Sequence, residues 1–260
     1  MDLFEALFLA LIQGLTEFLP ISSSGHLILT PELFGWADQG LGFDIAVHLG
    51  TLSAVIVYFR HDLVAMARGL LIRDSVDGRL ARQLIIASIP LGLVGVLSAD
   101  LVSTVLRSPA VIAASSAGFG ILLWVVDRFR RGQRTERELS LSDALLIGLG
   151  QALALIPGTS RSGITMTMAL ALGLSREAAG RFSFLLAIPA IGMAASWQIV
   201  QFAQEPETVQ WQALVSATLL AAITAFIAIA LFLRLIGRIG MGVFAVYRVL
   251  LAIVIVYVLV

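Results

Sequence analysis

Six long apolar segments, two more apolar stretches broken by proline, serine and glycine, and arginines gathered in alternate connections predict the fold class. It is an all-α polytopic membrane protein with six transmembrane helices and two broken re-entrant helix hairpins, arranged as an inverted-topology repeat. Composition agrees. Hydrophobic residues make up 59% of the chain and charged residues 13%, with a mean hydropathy of +0.98. That is too little polar surface to coat a soluble globule of this length. The formal net charge is zero, so no basic field argues for nucleic acid. Lysine and cysteine are absent, which excludes a disulfide framework and a thiolate nucleophile, and three scattered histidines do not by themselves build a zinc site. Asp2 and Glu5 stand where a secretory signal carries positive charge, and Glu17 interrupts its apolar run, so the amino terminus is expected to be mature protein.

The apolar segments lie at about 42–59, 83–103, 110–126, 182–200, 212–233 and 241–260, most of them near the roughly 20 residues that cross a bilayer. The stretches at about 3–30 and 143–172 are interrupted by Pro20-Ile21-Ser22-Ser23-Ser24-Gly25 and by Pro157-Gly158-Thr159-Ser160-Arg161-Ser162-Gly163. Proline removes a backbone donor and glycine frees the chain to turn, so each stretch reads as helix, polar break, helix. Irregular backbone at membrane depth is tolerated only inside protein or beside a wet cavity, which makes both breaks candidate cavity walls.

The order of elements repeats. Each break is followed by a Phe-led span, beginning at Phe43 and at Phe182. The single membrane domain, 1–260, therefore divides into halves of about 1–130 and 140–260, and three spans per half put the second copy in the opposite orientation. Arginine placement gives an independent topology. The connections at 60–82 (Arg60, Arg68, Arg73, Arg79, Arg82), 127–142 (Arg128, Arg130, Arg131, Arg134, Arg137) and 234–240 (Arg234, Arg238) are expected to be cytoplasmic. The alternate connections carry only Arg107 in one case, and Glu205 with Glu207 in the other. The first hairpin then enters from outside, the second from the cytoplasm, and their polar tips are expected to meet.

Gln13 and Glu17, four residues apart, share a helix face just before a break that presents Ser22, Ser23, Ser24 and His26. An ionisable side chain at membrane depth is costly without a cavity or a partner. Arg161, between Ser160 and Ser162, needs an anion: Glu17 as a structural ion pair, a phosphate held by its planar fork with hydroxyls and turn amides beside it, or each in turn. His48 and Asp44 either line the cavity or satisfy loose backbone of the hairpin, while Thr165 and Ser183 read as helix-packing hydroxyls.

Gln13-Gly14-Leu15-Thr16-Glu17-Phe18-Leu19-Pro20-Ile21-Ser22-Ser23-Ser24-Gly25-His26 resembles the first signature of the bacterial undecaprenyl pyrophosphate phosphatases of the bacitracin-resistance type, and Pro157 to Gly163 resembles the second. The resemblance extends over essentially the whole chain. It implies hydrolysis of C55 isoprenyl pyrophosphate to the monophosphate plus inorganic phosphate, recycling the carrier lipid of cell-wall synthesis. It also implies a divalent cation, Mg²⁺ or Ca²⁺, and a place in the bacterial inner membrane, with the site facing the periplasm by the topology above. Carried over by position, the functional acid falls on Glu17, the serine on Ser23, the histidine on His26 and the phosphate-binding arginine on Arg161. Gln13, Ser22, Ser24, Thr159, Ser160, Ser162 and Gly163 would contact substrate. Glu17 would hold the metal or orient the nucleophile, and Ser23 and His26 both stand as that nucleophile. Gln13 falls where many members carry glutamate, leaving one charge fewer for a metal. An alternating-access lipid-phosphate transporter using the same pocket is the alternative function. Oligomeric state, a homodimer included, stays open.

Overall fold

The computed structural model describes residues 2–37, 39–98, 106, 108–130, 132–204 and 210–260. α1 (Leu3–Thr16) and α2 (Ser23–Phe34) form the first broken hairpin, followed by α3 (Leu41–Tyr58), α4 (Arg60–Leu70), α5 (Val76–Leu97) and α6 (Pro109–Phe129). α7 (Leu141–Ala152), a 3-10 turn (Leu153–Leu155) and α8 (Arg161–Ala171) form the second, followed by α9 (Arg176–Gln204), α10 (Trp211–Ile239) and α11 (Gly242–Leu259). Among the described residues, six helices are long and apolar enough to cross a membrane: α3, α5, α6, α9, α10 and α11. This is a multi-pass membrane protein.

The predicted spans are all present, with differences in extent; the fifth runs on to Ile239, so Arg234 and Arg238 stand on its last turns. The fourth span is longer at both ends than 182–200. The second begins at Val76, because Ser75 caps it by accepting from the Gly78 amide at 3.2 Å. Arg79 and Arg82 therefore ride its first turns, and most of the predicted loop is the amphipathic helix α4. The markers Arg107, Arg131, Glu205 and Glu207 lie outside the described residues.

Packing is alike in the two halves. α1 lies against α10 as α7 lies against α5, and α2 touches α11 as α8 touches α6. α3 and α9 pack on each other at the centre. Close approach depends on missing side chains: a Cβ on Gly14 would stand 1.8 Å from Thr224 Oγ1, and one on Gly148 would stand 2.5 Å from the Ala87 carbonyl. The largest core cluster includes Phe18, Phe59, Phe182, Phe184 and Phe232, with Phe18 edge-on to Phe184 at 5.3 Å between centroids.

The arginine-bearing connections meet at one end of the bundle. Arg181 binds Glu136 and Asp62, each at 2.8 Å. Arg137 binds Asp77 at 2.6 Å, and Arg176 holds Asp127 through two nitrogens at 2.6 and 2.9 Å while reaching the Gly237 carbonyl. On the same connection the Thr135 amide and hydroxyl hold the Glu138 carboxyl below the usual carboxylate range. All three connections assigned to one side by their arginines thus share one face.

Candidate active site

The two breaks have one geometry. In each, the residue that opens the second helix, Ser22 or Ser160, is a non-glycine residue with positive φ, 69° and 66°. Such backbone costs on the order of 1–3 kcal/mol and persists only where surroundings enforce it. Next in order come Ser23-Ser24-Gly25 and Arg161-Ser162-Gly163, and the flanking serines pair identically: Ser22 with Ser24 and Ser160 with Ser162, each at 3.2 Å between hydroxyls. Ser23 and Arg161 therefore occupy matching places at the amino ends of α2 and α8, where free amides and the helix dipoles favour an anion.

The tips meet. Ser162 donates to the Leu19 carbonyl at 2.9 Å, and Arg161 Nη2 reaches Glu17 Oε1 at 3.2 Å. The other Glu17 oxygen accepts from Ser23 Oγ at 2.7 Å and from Gln13 Nε2 at 3.1 Å. Arg161 Nη1 donates to the Ser183 carbonyl at 3.3 Å, and its guanidinium lies 5.9 Å from the centroid of the Phe18 ring. The arginine is thus held on three sides with its charge directed at the carboxylate. Gln13 is fully buried, and its Oε1 lacks a protein partner, leaving an oxygen acceptor beside Glu17.

A cavity of about 1060 Å³ opens from this cluster. Its polar end is Glu17, Ser22, Ser23, Ser24, His48, Ser160 and Arg161. Its apolar wall is the carboxyl half of α5 (Leu91, Gly92, Gly95, Val96), Leu155, and α9 from Pro189 to Val200 with Met193 and Trp197. That wall lies away from the arginine-bearing end. His48 is on the cavity surface with Nδ1 donating to the Asp44 carbonyl at 2.7 Å. Thr165 and Ser183 pair at 2.7 Å inside the α8–α9 packing.

Five of the sequence-derived site residues do not line the cavity: Gln13 and Ser162, buried at the meeting of the tips, and His26, Thr159 and Gly163. His26 Nδ1 faces the Ser22 carbonyl at 2.8 Å and Nε2 faces the Tyr247 hydroxyl at 2.5 Å. Thr159 is fully buried, with its hydroxyl unpartnered. Gly163 is buried against Arg248, whose Nη1 lies 2.8 Å from where a Cβ would be.

Sequence reasoning did not single out Tyr247 and Arg248, which lie within the apolar last span. Arg248 is fully buried, and its Nη2 donates to the carbonyls of Thr159 at 2.8 Å and Gly158 at 2.9 Å. The available signal was an arginine seven residues inside a span, a costly position without a specific partner.

Among the described residues there is no group of three or more histidine or acidic side chains that could cage a metal. Glu17 is the acidic side chain on the cavity, with the buried Gln13 amide behind it.

A serine hydroxyl on a carboxylate, an arginine at the facing helix end and a long apolar recess together define a polytopic membrane enzyme. The sequence relationships narrow that class. A model of the bacitracin resistance protein BacA family matches residues 6–254. The chain is 52% identical over 256 residues to a protein of Nitrosococcus oceani named undecaprenyl-diphosphatase, covering 96% of this chain and 97% of the relative. It is 51% identical to undecaprenyl-diphosphatase 2 of Stutzerimonas stutzeri, with 96% of both chains covered. To the undecaprenyl-diphosphatase of Teredinibacter turnerae it is 52% identical, over 97% of this chain and 98% of the relative. The chain belongs to the bacitracin resistance protein BacA family.

Proposed function

We propose that this enzyme hydrolyses undecaprenyl (C55 isoprenyl) pyrophosphate to the monophosphate and inorganic phosphate in the bacterial inner membrane, with the pocket open to the periplasmic side. The observation that carries the reading is Ser23 Oγ at 2.7 Å from Glu17, with Arg161 on the same carboxylate, at the polar end of an otherwise apolar cavity. Such a cavity suits a ligand with a charged head and a hydrocarbon tail. A pure carrier has no use for a hydroxyl already hydrogen-bonded to a base.

In this mechanism Arg161 and the amino ends of α2 and α8 receive the terminal phosphate. Ser23 Oγ attacks its phosphorus and passes its proton to Glu17, the bridging P–O bond breaks, and the lipid monophosphate leaves. Water then attacks the phosphoserine; the phosphorus–Oγ bond breaks, Oγ recovers the proton from Glu17, and inorganic phosphate departs. Ser23 rather than His26 is the nucleophile, because both imidazole nitrogens are engaged away from the cavity.

A divalent cation is part of the proposal. Glu17 would hold a Mg²⁺-type ion that draws most of its ligands from water and phosphate, with Gln13 adding an oxygen only if its amide turns from the Nε2-to-Glu17 bond; the pair fits less well a Ca²⁺ cage of about six to eight oxygens. When bound, the ion supplies positive charge to pyrophosphate oxygens.

The test is phosphate release from undecaprenyl pyrophosphate by purified protein in detergent, with and without Mg²⁺ or Ca²⁺. Release by wild type, abolished in folded Ser23→Ala, supports the reading; no release under any metal condition overturns it. Orientation is tested by Ser24→Cys in this cysteine-free chain. Labelling by an impermeant thiol reagent from the periplasmic side is expected, and labelling only from the cytoplasm would reverse the topology.

A further inference from the structure

The imidazole of His26 is fixed at both nitrogens. Nδ1 faces a carbonyl, which only accepts, so Nδ1 carries the proton and Nε2 is the acceptor. The Tyr247 hydroxyl, 2.5 Å from Nε2, is then the donor. The two rings also stack, with centroids 5.6 Å apart and planes 9° from parallel. The carbonyl at the other end of this relay belongs to Ser22, the positive-φ residue that opens α2 and sets the direction of Ser23. One position along α11, Arg248 donates to the carbonyls of Gly158 and Thr159, immediately before Ser160, the positive-φ residue of the other break. Adjacent residues of one helix therefore support the backbone of both breaks, one through His26 at the positive-φ serine and the other directly at the two residues before its counterpart.

We propose that Tyr247 is a positioning residue of the active site: acting through His26, it holds the first break so that Ser23 meets Glu17, as its neighbour Arg248 holds the second break under Arg161. The inference rests on the phosphatase reading for its kinetic test but not for its chemical one. A hydroxyl donor in this place fixes the tautomer of His26, and a fixed tautomer keeps Nδ1–H on the Ser22 carbonyl. Without it the ring is free to turn, and the backbone that aims the nucleophile loses its outer support. The effect falls on attack rather than on substrate capture, since neither Tyr247 nor His26 lines the cavity.

Tyr247→Phe removes only the hydroxyl and keeps the ring. The expected result is a fall in kcat of about tenfold with KM changed by less than about twofold. In a His26→Gln background the same change should add nothing, because its path is already cut, whereas in Arg248→Lys it should cost as much as in wild type. A second readout needs no turnover. Diethyl pyrocarbonate should modify His26 several-fold faster in Tyr247→Phe, followed by peptide mass spectrometry with His48 and His61 as internal references. Unchanged His26 reactivity, or an equal loss in the wild-type and His26→Gln backgrounds, overturns the proposal. If wild type releases no phosphate, the phosphatase reading fails, and the modification rates still decide whether Tyr247 holds His26.

Discussion

Arg161 could serve only to neutralise Glu17, or it could also receive phosphate, and a pair of substitutions separates the two. Arg161→Ala leaves a carboxylate only 8% exposed without its cation. Stranding one member of a buried pair costs about 3–5 kcal/mol, unless Glu17 takes up a proton. Glu17 keeps its bonds to Ser23 and Gln13, so the lower end of that range is expected. Adding Glu17→Gln removes the stranded charge while keeping the shape, and thermal stability in detergent should return most of the way to wild type. Activity should not return. Loss of one preorganised charge donor to a transferring group costs about 10²–10³ in kcat, and Glu17→Gln also removes the base beside Ser23. Arg161→Lys keeps the charge, but as a point ammonium it cannot bind the Ser183 carbonyl and a phosphate in the fixed fork of a guanidinium. It should recover stability more fully than rate. The assays are a thermal melt and phosphate release on the same preparations. If Arg161→Lys, which keeps Glu17, regained rate as fully as stability, the arginine would be a structural counter-ion and the phosphate role would be wrong.

Three further outcomes follow from the same geometry. Ser23→Ala should abolish turnover while Ser24→Ala keeps most of it, since Ser23 alone of the two bonds Glu17; steady-state rates of the two variants decide this. Gly192 has open space where a Cβ would project, and Gly95 has only Leu155 at 3.8 Å. Gly192→Phe should therefore fill the apolar recess and lower kcat/KM for the C55 substrate more than for a C15 isoprenyl pyrophosphate, and an unchanged ratio would put the tail elsewhere. Gly14→Ala places a methyl 1.8 Å from Thr224 Oγ1 and 2.7 Å from the Ala221 carbonyl. Overpacking of this kind costs about 1–3 kcal/mol, read as a lower melting temperature that Thr224→Ala in part restores.

Much of this fold is legible because the bilayer restricts the choices. A span must be long, apolar and helical, so six of them stand out by hydropathy alone, and Pro20, Pro157 and their serines mark where helices cannot continue. Glu17 and Arg161 are legible for the related reason that a charge at such depth needs a partner. What stayed hidden depends on direction rather than composition. His26 lies in the same motif as Ser23, yet the turn of α2 aims it at α11 instead of the cavity, and no spacing rule along the chain reports a contact with a residue 221 positions away. Amphipathic α4 was hidden for a different reason. Its arginines mark it as a connection, and the helical period inside a charged connection is weak beside the apolar spans that flank it.

The two breaks show how one architecture comes to hold two chemistries. A strained serine, a paired hydroxyl and a glycine recur at both, with φ values within a few degrees of each other. The scaffold therefore presents two equivalent anion-favouring helix ends face to face. Phosphoryl transfer needs a nucleophile on one side of the phosphorus and charge neutralisation around its oxygens, and two identical ends would supply only one of these. Within the four residues from the strained serine to the glycine the difference is a single position, Ser23 on one and Arg161 on the other, while Glu17 joins the two by accepting from both. The carboxylate has no counterpart in the second half, where Leu155, four residues after the buried Gln151, lines the apolar part of the cavity instead. In the proposed mechanism this asymmetry puts the proton acceptor on the side of the serine and the apolar wall on the side of the arginine. A substrate with its terminal phosphate between the two helix ends is thereby oriented with its tail toward α5 and α9.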